Sequence, residues 1–136
     1  SCSLVGSEMC IRDRDVGLLG AMSDLDAMSI LEGNDIFVEF KGALTEQYVL
    51  QQIISDTKYT PYYYGTEKAT FEQDFMIQMG KDVVPIEVKA ETNLKSQSLK
   101  CYCEKYHPQT AIRFSAKKYI DQGWMKNVPL YAVCTL

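Results

Sequence analysis

The stretch from residue 71 to residue 90 constrains this chain more than any other. Two runs in which apolar and polar residues alternate, Phe71 to Met79 and Asp82 to Ala90, flank the pair Gly80-Lys81. Alternation with a period of two marks a strand with one buried face, and a glycine-containing pair between two such runs marks a β-hairpin. If Gly80-Lys81 forms a two-residue loop, Asp74 lies opposite Glu87 and Glu72 opposite Lys89, whereas one alternative register would separate the carboxylates. Glu87 and Lys89 then share one face, while Ile86, Val88 and Ala90 share the other. Carboxylates and a lysine converge on a single patch.

Opposed carboxylates need a reason. At about 5 Å they repel by roughly 3 kcal/mol at an effective dielectric near 20, and by under about 1 kcal/mol when fully wet. Like charges directly across a ladder are unfavourable, so folding alone does not select them. Two readings follow. Either the face is solvated and Lys89 pairs with Glu72 or Glu87, or a divalent cation turns repulsion into ligation, since hard cations take carboxylate oxygens.

A third acid bears on that choice. Residues 37–54 carry helical periodicity, with Phe37, Phe40, Leu44 and Tyr48 in one apolar row and Ala43, Leu50, Ile53 and Ile54 in the adjoining one. Glu46 falls between Ala43 and Leu50 at spacings of three and four, so it projects from the apolar side. An unpaired buried charge there costs several kcal/mol. Glu46 must either reach solvent at the edge of the stripe or meet a partner such as Lys89 or a metal ion. A site shared with the hairpin acids explains all three.

A helix bearing Glu46, a strand bearing Asp74, and Glu87-x-Lys89 on the next strand resemble the ordered signature of the PD-(D/E)xK, restriction-endonuclease-like superfamily. More narrowly, Lys41-Gly42-Ala43-Leu44-Thr45-Glu46, Glu72-Gln73-Asp74-Phe75 and Val84-Pro85-Ile86-Glu87-Val88-Lys89 resemble the domain of unknown function found at the C-terminus of prokaryotic AAA-type ATPases. Asp15-Val16-Gly17-Leu18-Leu19 and Val128-Pro129-Leu130-Tyr131-Ala132-Val133 are similar to its flanking segments, so the resemblance spans residues 15 to about 134. Gln73 and Ala69-Thr70-Phe71 depart from the usual pattern without touching the acids or the lysine. The resemblance implies Glu46, Asp74, Glu87 and Lys89 as catalytic residues, with Glu46, Asp74 and Glu87 as ligands of Mg²⁺ or Mn²⁺. It implies a Mg²⁺-dependent nucleic-acid phosphodiesterase, DNA first among its substrates, attached to an N-terminal ATPase domain. The alternative is a non-catalytic module that binds DNA or protein and regulates the ATPase.

The remaining sequence bounds these expectations. With 136 residues and 46% hydrophobic content, the chain can build one modest domain with a core. No apolar run approaches the roughly 20 residues of a membrane helix. Residues 1–80 hold 5 Lys/Arg against 13 Asp/Glu, net −8, whereas residues 81–136 hold 9 against 5, net +4. Nucleic acid would meet the second half, through Lys89, Lys95, Lys100, Lys105, Arg113, Lys117, Lys118 and Lys126, unless these are simply a wet surface. Cys101, Cys103 and Cys134 lack Cys-x-x-Cys spacing and histidine support, which argues against a zinc site or disulfides and for reduced thiols in the cytoplasm. His107, the single histidine, precedes Pro108 at a helix end and suits a capping or loop role rather than catalysis. Residues 1–14 resemble a translated sequencing adaptor rather than a signal peptide and are set aside; on that reading the chain is expected to be a fragment of a longer protein. No phosphate-loop motif of an ATPase occurs in it.

The expected layout is a lead-in helix or linker at 15–35 and one restriction-endonuclease-like domain at 36–136. Its α/β core runs α-β-β-β-α-β, a mixed sheet flanked by helices. The Glu46 helix ends near Ser55 and a strand follows at 58–64, where Tyr62-Tyr63-Tyr64 is read as packing rather than stacking bases. After the hairpin comes a helix at 94–106 with Leu99, Tyr102, Cys103 and Tyr106 inward. A strand at 110–114, parallel to the Glu87 strand, and a closing strand at 128–133 complete the sheet.

Overall fold

The computed structural model describes residues 35–64, 73–90 and 95–136. The readings made for residues 1–14, for the lead-in at 15–32, for 69–71, and for Glu72 and Leu94 lie outside these residues. The described elements are helix α1 (Asp35–Asp56), strands β1 (Tyr62–Tyr64), β2 (Gln73–Met79) and β3 (Asp82–Lys89), helix α2 (Gln97–Tyr106), strands β4 (Ile112–Ser115), β5 (Ile120–Asp121) and β6 (Lys126–Pro129), and a 3₁₀ helix over Leu130–Thr135. The strands form one sheet in the order β1-β2-β3-β4-β6-β5. Pairing is antiparallel for β1–β2, β2–β3 and β5–β6, and parallel for β3–β4 and β4–β6. This is the expected mixed α/β sheet with flanking helices and a closing strand, β6, to which the two-residue β5 adds an edge.

The hairpin has the register its loop dictates. Met79 pairs with Asp82, Ile77 with Val84 and Phe75 with Ile86. Gly80 sits at φ 65° and Lys81 does not share the positive φ, the pattern of a type II′ turn. Pro85 is tolerated inside β3 because it falls between hydrogen-bonded pairs toward β2, and the β3–β4 ladder begins only at Ile86.

Two layers cover the sheet. Val49, Leu50 and Ile53 of α1 pack on Phe75, Ile77, Val84, Ile86 and Val88, and the same core continues through Ile112, Phe114, Val128 and Val133. The opposite face carries α2, with Leu99 packed on Ala111 and Met125, and the Tyr102 hydroxyl 4.0 Å from the Met76 sulfur.

Several local expectations are corrected. The buried row of α1 is Val49, Leu50 and Ile53, whereas Ile54 is 42% exposed and Ala43 is exposed, because one sheet face covers only a narrow stripe of the helix. Tyr106 turns outward at the last turn of α2, where the strands no longer reach it. The closing strand stops at Pro129, and Leu130 to Thr135 coil so that Val133 can enter the α1 core. β1 is only three residues, and Tyr62 and Tyr63 stay exposed on this edge, although the Tyr63 ring lies 5.4 Å from that of Phe75.

Candidate active site

Parity within the sheet places the polar side chains of four strands in one row. Glu87 pairs with Arg113, and Arg113 with Asn127. The β2–β3 register, continued one step past Phe75 and Ile86, sets Asp74 opposite Glu87. The row Asp74–Glu87–Arg113–Asn127 therefore crosses the α2 face of the sheet: two acids, a guanidinium and an amide.

Asp74 stands where the β2–β3 ladder stops. Its carboxylate accepts a hydrogen bond from the Val88 backbone N–H at 2.6 Å. Burial is the main force raising Asp74 above the ordinary carboxylate range; the Val88 hydrogen bond opposes it, Glu87 adds to it, and Lys89 opposes it. Glu87 is 7% exposed, with Oε1 held 3.1 Å from the Lys89 ammonium and Oε2 buried without a hydrogen-bond partner among the described residues. A buried carboxylate oxygen without a donor is costly and marks a place where a cation or a donor would be welcome.

Glu46 heads the buried row of α1, one turn before Val49 and Leu50. It arrives from the layer opposite to the Asp74–Glu87 row, yet it remains within electrostatic reach of Asp74 and Lys89. Burial raises its pKa first, the charge of Asp74 raises it further, and Lys89 lowers it. The four expected residues are thus electrostatically linked. The arrangement is not a closed ligand shell: among the described residues no three His, Cys, Asp or Glu side chains stand together closely enough to hold a metal ion. Asp74 and Glu87 alone still suit a hard cation such as Mg²⁺, which is commonly bound through one or two carboxylates while keeping several waters.

The profile of a domain of unknown function, DUF4143, matches residues 41–134. The chain belongs to this family. Glu46, Asp74, Glu87 and Lys89 all lie inside the DUF4143 segment. No match was found among curated proteins or solved structures.

The DUF4143 fold also carries a network that its sequence did not announce. Arg113 is 3% exposed, so it is no surface charge. Its Nε donates to Asn127 Oδ1 at 3.0 Å and its Nη1 to Ser96 Oγ at 3.1 Å. Burial lowers the Arg113 pKa and the neighbouring Glu87 raises it. Ser115 Oγ also donates to Asn127 Oδ1, at 2.8 Å, while Asn127 Nδ2 donates to the carbonyls of Lys117 and Lys118. The signal in the sequence was Arg113 between Ile112 and Phe114, a charge on the second face of a buried strand.

Proposed function

We propose that this domain is a metal-dependent phosphodiesterase of the PD-(D/E)xK type acting on nucleic acid, DNA first. The observation that carries this reading is the buried Oε2 of Glu87, without a hydrogen-bond partner among the described residues, beside the half-buried carboxylate of Asp74 whose ionisation is disfavoured. Asp74 and Glu87 would hold Mg²⁺ or Mn²⁺, and Glu46, outside that pair's ligand distance, would add negative charge near Asp74. Bound there, the ion would polarise a phosphate and lower the pKa of a water. Lys89 donates to Glu87 Oε1 and keeps that carboxylate pointed; its ammonium would also offer a proton donor to a phosphate oxygen carrying developing charge. An attached ATPase domain would deliver the substrate.

A second reading has its own observation. Asp74 already caps the Val88 N–H and Glu87 already pairs with Lys89, so the acids have structural employment in a non-catalytic module that regulates the ATPase. The deciding experiment is a cleavage assay with plasmid and single-stranded DNA under Mg²⁺ and Mn²⁺, on the chain and on its full-length parent. Cleavage lost in Asp74→Ala, Glu87→Ala and Lys89→Ala supports the nuclease. Metal binding should survive only in the lysine variant. Cleavage that persists in Asp74→Ala, or none in any condition, moves the conclusion to the regulatory module.

A further inference from the structure

We infer that the groove between α2 and the β5–β6 hairpin binds single-stranded nucleic acid, with the indole of Trp124 stacked on a base. This deepens the preceding reading and rests on it for the substrate. The groove has a volume of about 640 Å³ and is lined by Lys95, Lys100 and Lys117 with the buried Arg113 at its floor, and Glu104 is the one acidic side chain among its described lining residues. Three exposed lysines, Lys95, Lys100 and Lys117, against one acid stand out on a chain whose formal net charge is −4. Glu104 lies 4.0 Å from Lys100 with both side chains about two-thirds exposed, too wet to neutralise it. Arg113 at the edge of the groove is also the third member of the row that begins with Asp74 and Glu87, so the groove adjoins the acids.

Trp124 decides for a single strand. It is 39% exposed and lines both this groove and a smaller hollow of about 300 Å³ beside Cys103 and His107. Its loop is a built turn: Gly123 takes φ 81°, its N–H donates to the Asp121 carboxylate at 2.8 Å, and the Gln122 N–H donates to the Met125 carbonyl at 2.9 Å. An indole held among lysines offers its face to an unstacked base while the ammonium groups follow the phosphates. In a duplex the base faces are already covered by their neighbours.

The test uses a fluorescein-labelled oligothymidylate in EDTA, so that binding is read without cleavage. Trp124 is the single tryptophan of the chain, and its fluorescence reports stacking directly. Expected are quenching of that fluorescence at saturation, a roughly tenfold loss of affinity in Trp124→Ala with most of it kept in Trp124→Phe, and a fall of about two in the slope of log affinity against log salt when Lys95, Lys100 and Lys117 are all changed to Gln. Unquenched fluorescence, wild-type affinity in Trp124→Ala, or equal binding of a duplex of the same length overturns the proposal. The two readings fail separately. Groove-dependent binding without cleavage leaves the groove and removes the nuclease; cleavage indifferent to the groove variants does the reverse.

Discussion

The carboxylate of Asp74 takes the hydrogen bond of the Val88 backbone N–H at 2.6 Å, one residue beyond the last ladder pair of β2 and β3. A side chain thus serves the backbone at the place where the strands part. The same group carries a charge that burial and Glu87 disfavour. Its acceptor role and its charge can be separated by substitution.

Asp74→Asn keeps an acceptor for Val88 and removes the charge, so in EDTA it should raise stability, by about 1 kcal/mol once Lys89's compensation is discounted. Asp74→Ala leaves the Val88 N–H without its partner and should lower stability by roughly 1–3 kcal/mol. Urea denaturation of both variants checks this. A loss of equal size in both would mean that the charge carries no strain.

Stability should also depend on pH with a definite sign. Asp74 and Glu46 both have folded-state pKa values raised above their ordinary ones, so the fold holds protons that the unfolded chain has already released. The destabilisation is therefore absent below the ordinary carboxylate range of about pH 4 and grows as pH rises through the raised values. The difference in unfolding free energy between the wild type and Glu46→Gln/Asp74→Asn should change across that window and level off above it. A difference constant from acid to neutral pH would contradict this.

Metal should reverse the same strain. In the nuclease reading, Mg²⁺ or Mn²⁺ at about 100 times its dissociation constant adds roughly 2.7 kcal/mol of stability. Glu87→Gln should abolish the gain in a thermal melt. The reading loses its cation site if the wild type shows no shift with either metal.

Asn127 is fully buried and serves Arg113, Ser115 and two loop carbonyls. Asn127→Ala should cost about 2–4 kcal/mol and Ser115→Ala about 1 kcal/mol. Because the two residues share a hydrogen bond, the double variant should lose less than the sum. Strict additivity in urea denaturation would show that the bond carries no coupling.

His107 closes α2 in the left-handed region, at φ 49° and ψ 51°, with its N–H donating to Cys103 O. Its capping role is as expected from its place before Pro108. His107→Gly should therefore stabilise the domain by up to about 1 kcal/mol in a thermal melt. A decrease would mean that the imidazole itself contributes.

How much of this was legible follows from what each feature depends on. The hairpin register needed only the alternation of 73–79 and 82–89 and a two-residue turn, so the opposition of Asp74 and Glu87 could be read directly. The parallel strand after α2 followed from the helix crossover. Val49 was missed because helical periodicity gives a stripe but not its centre, which is set by the sheet that covers it. Glu46 was legible on the apolar side of the helix through its spacing to Leu50, whereas the uncertain centre of the stripe let Ile54 and Tyr106 pass as core residues.

Local sequence therefore determined the two main helices, the hairpin strands, the turn at Gly80 and the faces on which the hairpin acids lie, because those depend on neighbours a few residues away. The tertiary structure alone decided which residues align across strands distant in sequence. Parallel pairing of β3, β4 and β6 brought Glu87, Arg113 and Asn127 into one row, buried an arginine that looked like a surface charge, and set Trp124 over a basic groove. Such alignments depend on which strands pair and in what register, and no periodicity along a single strand encodes that.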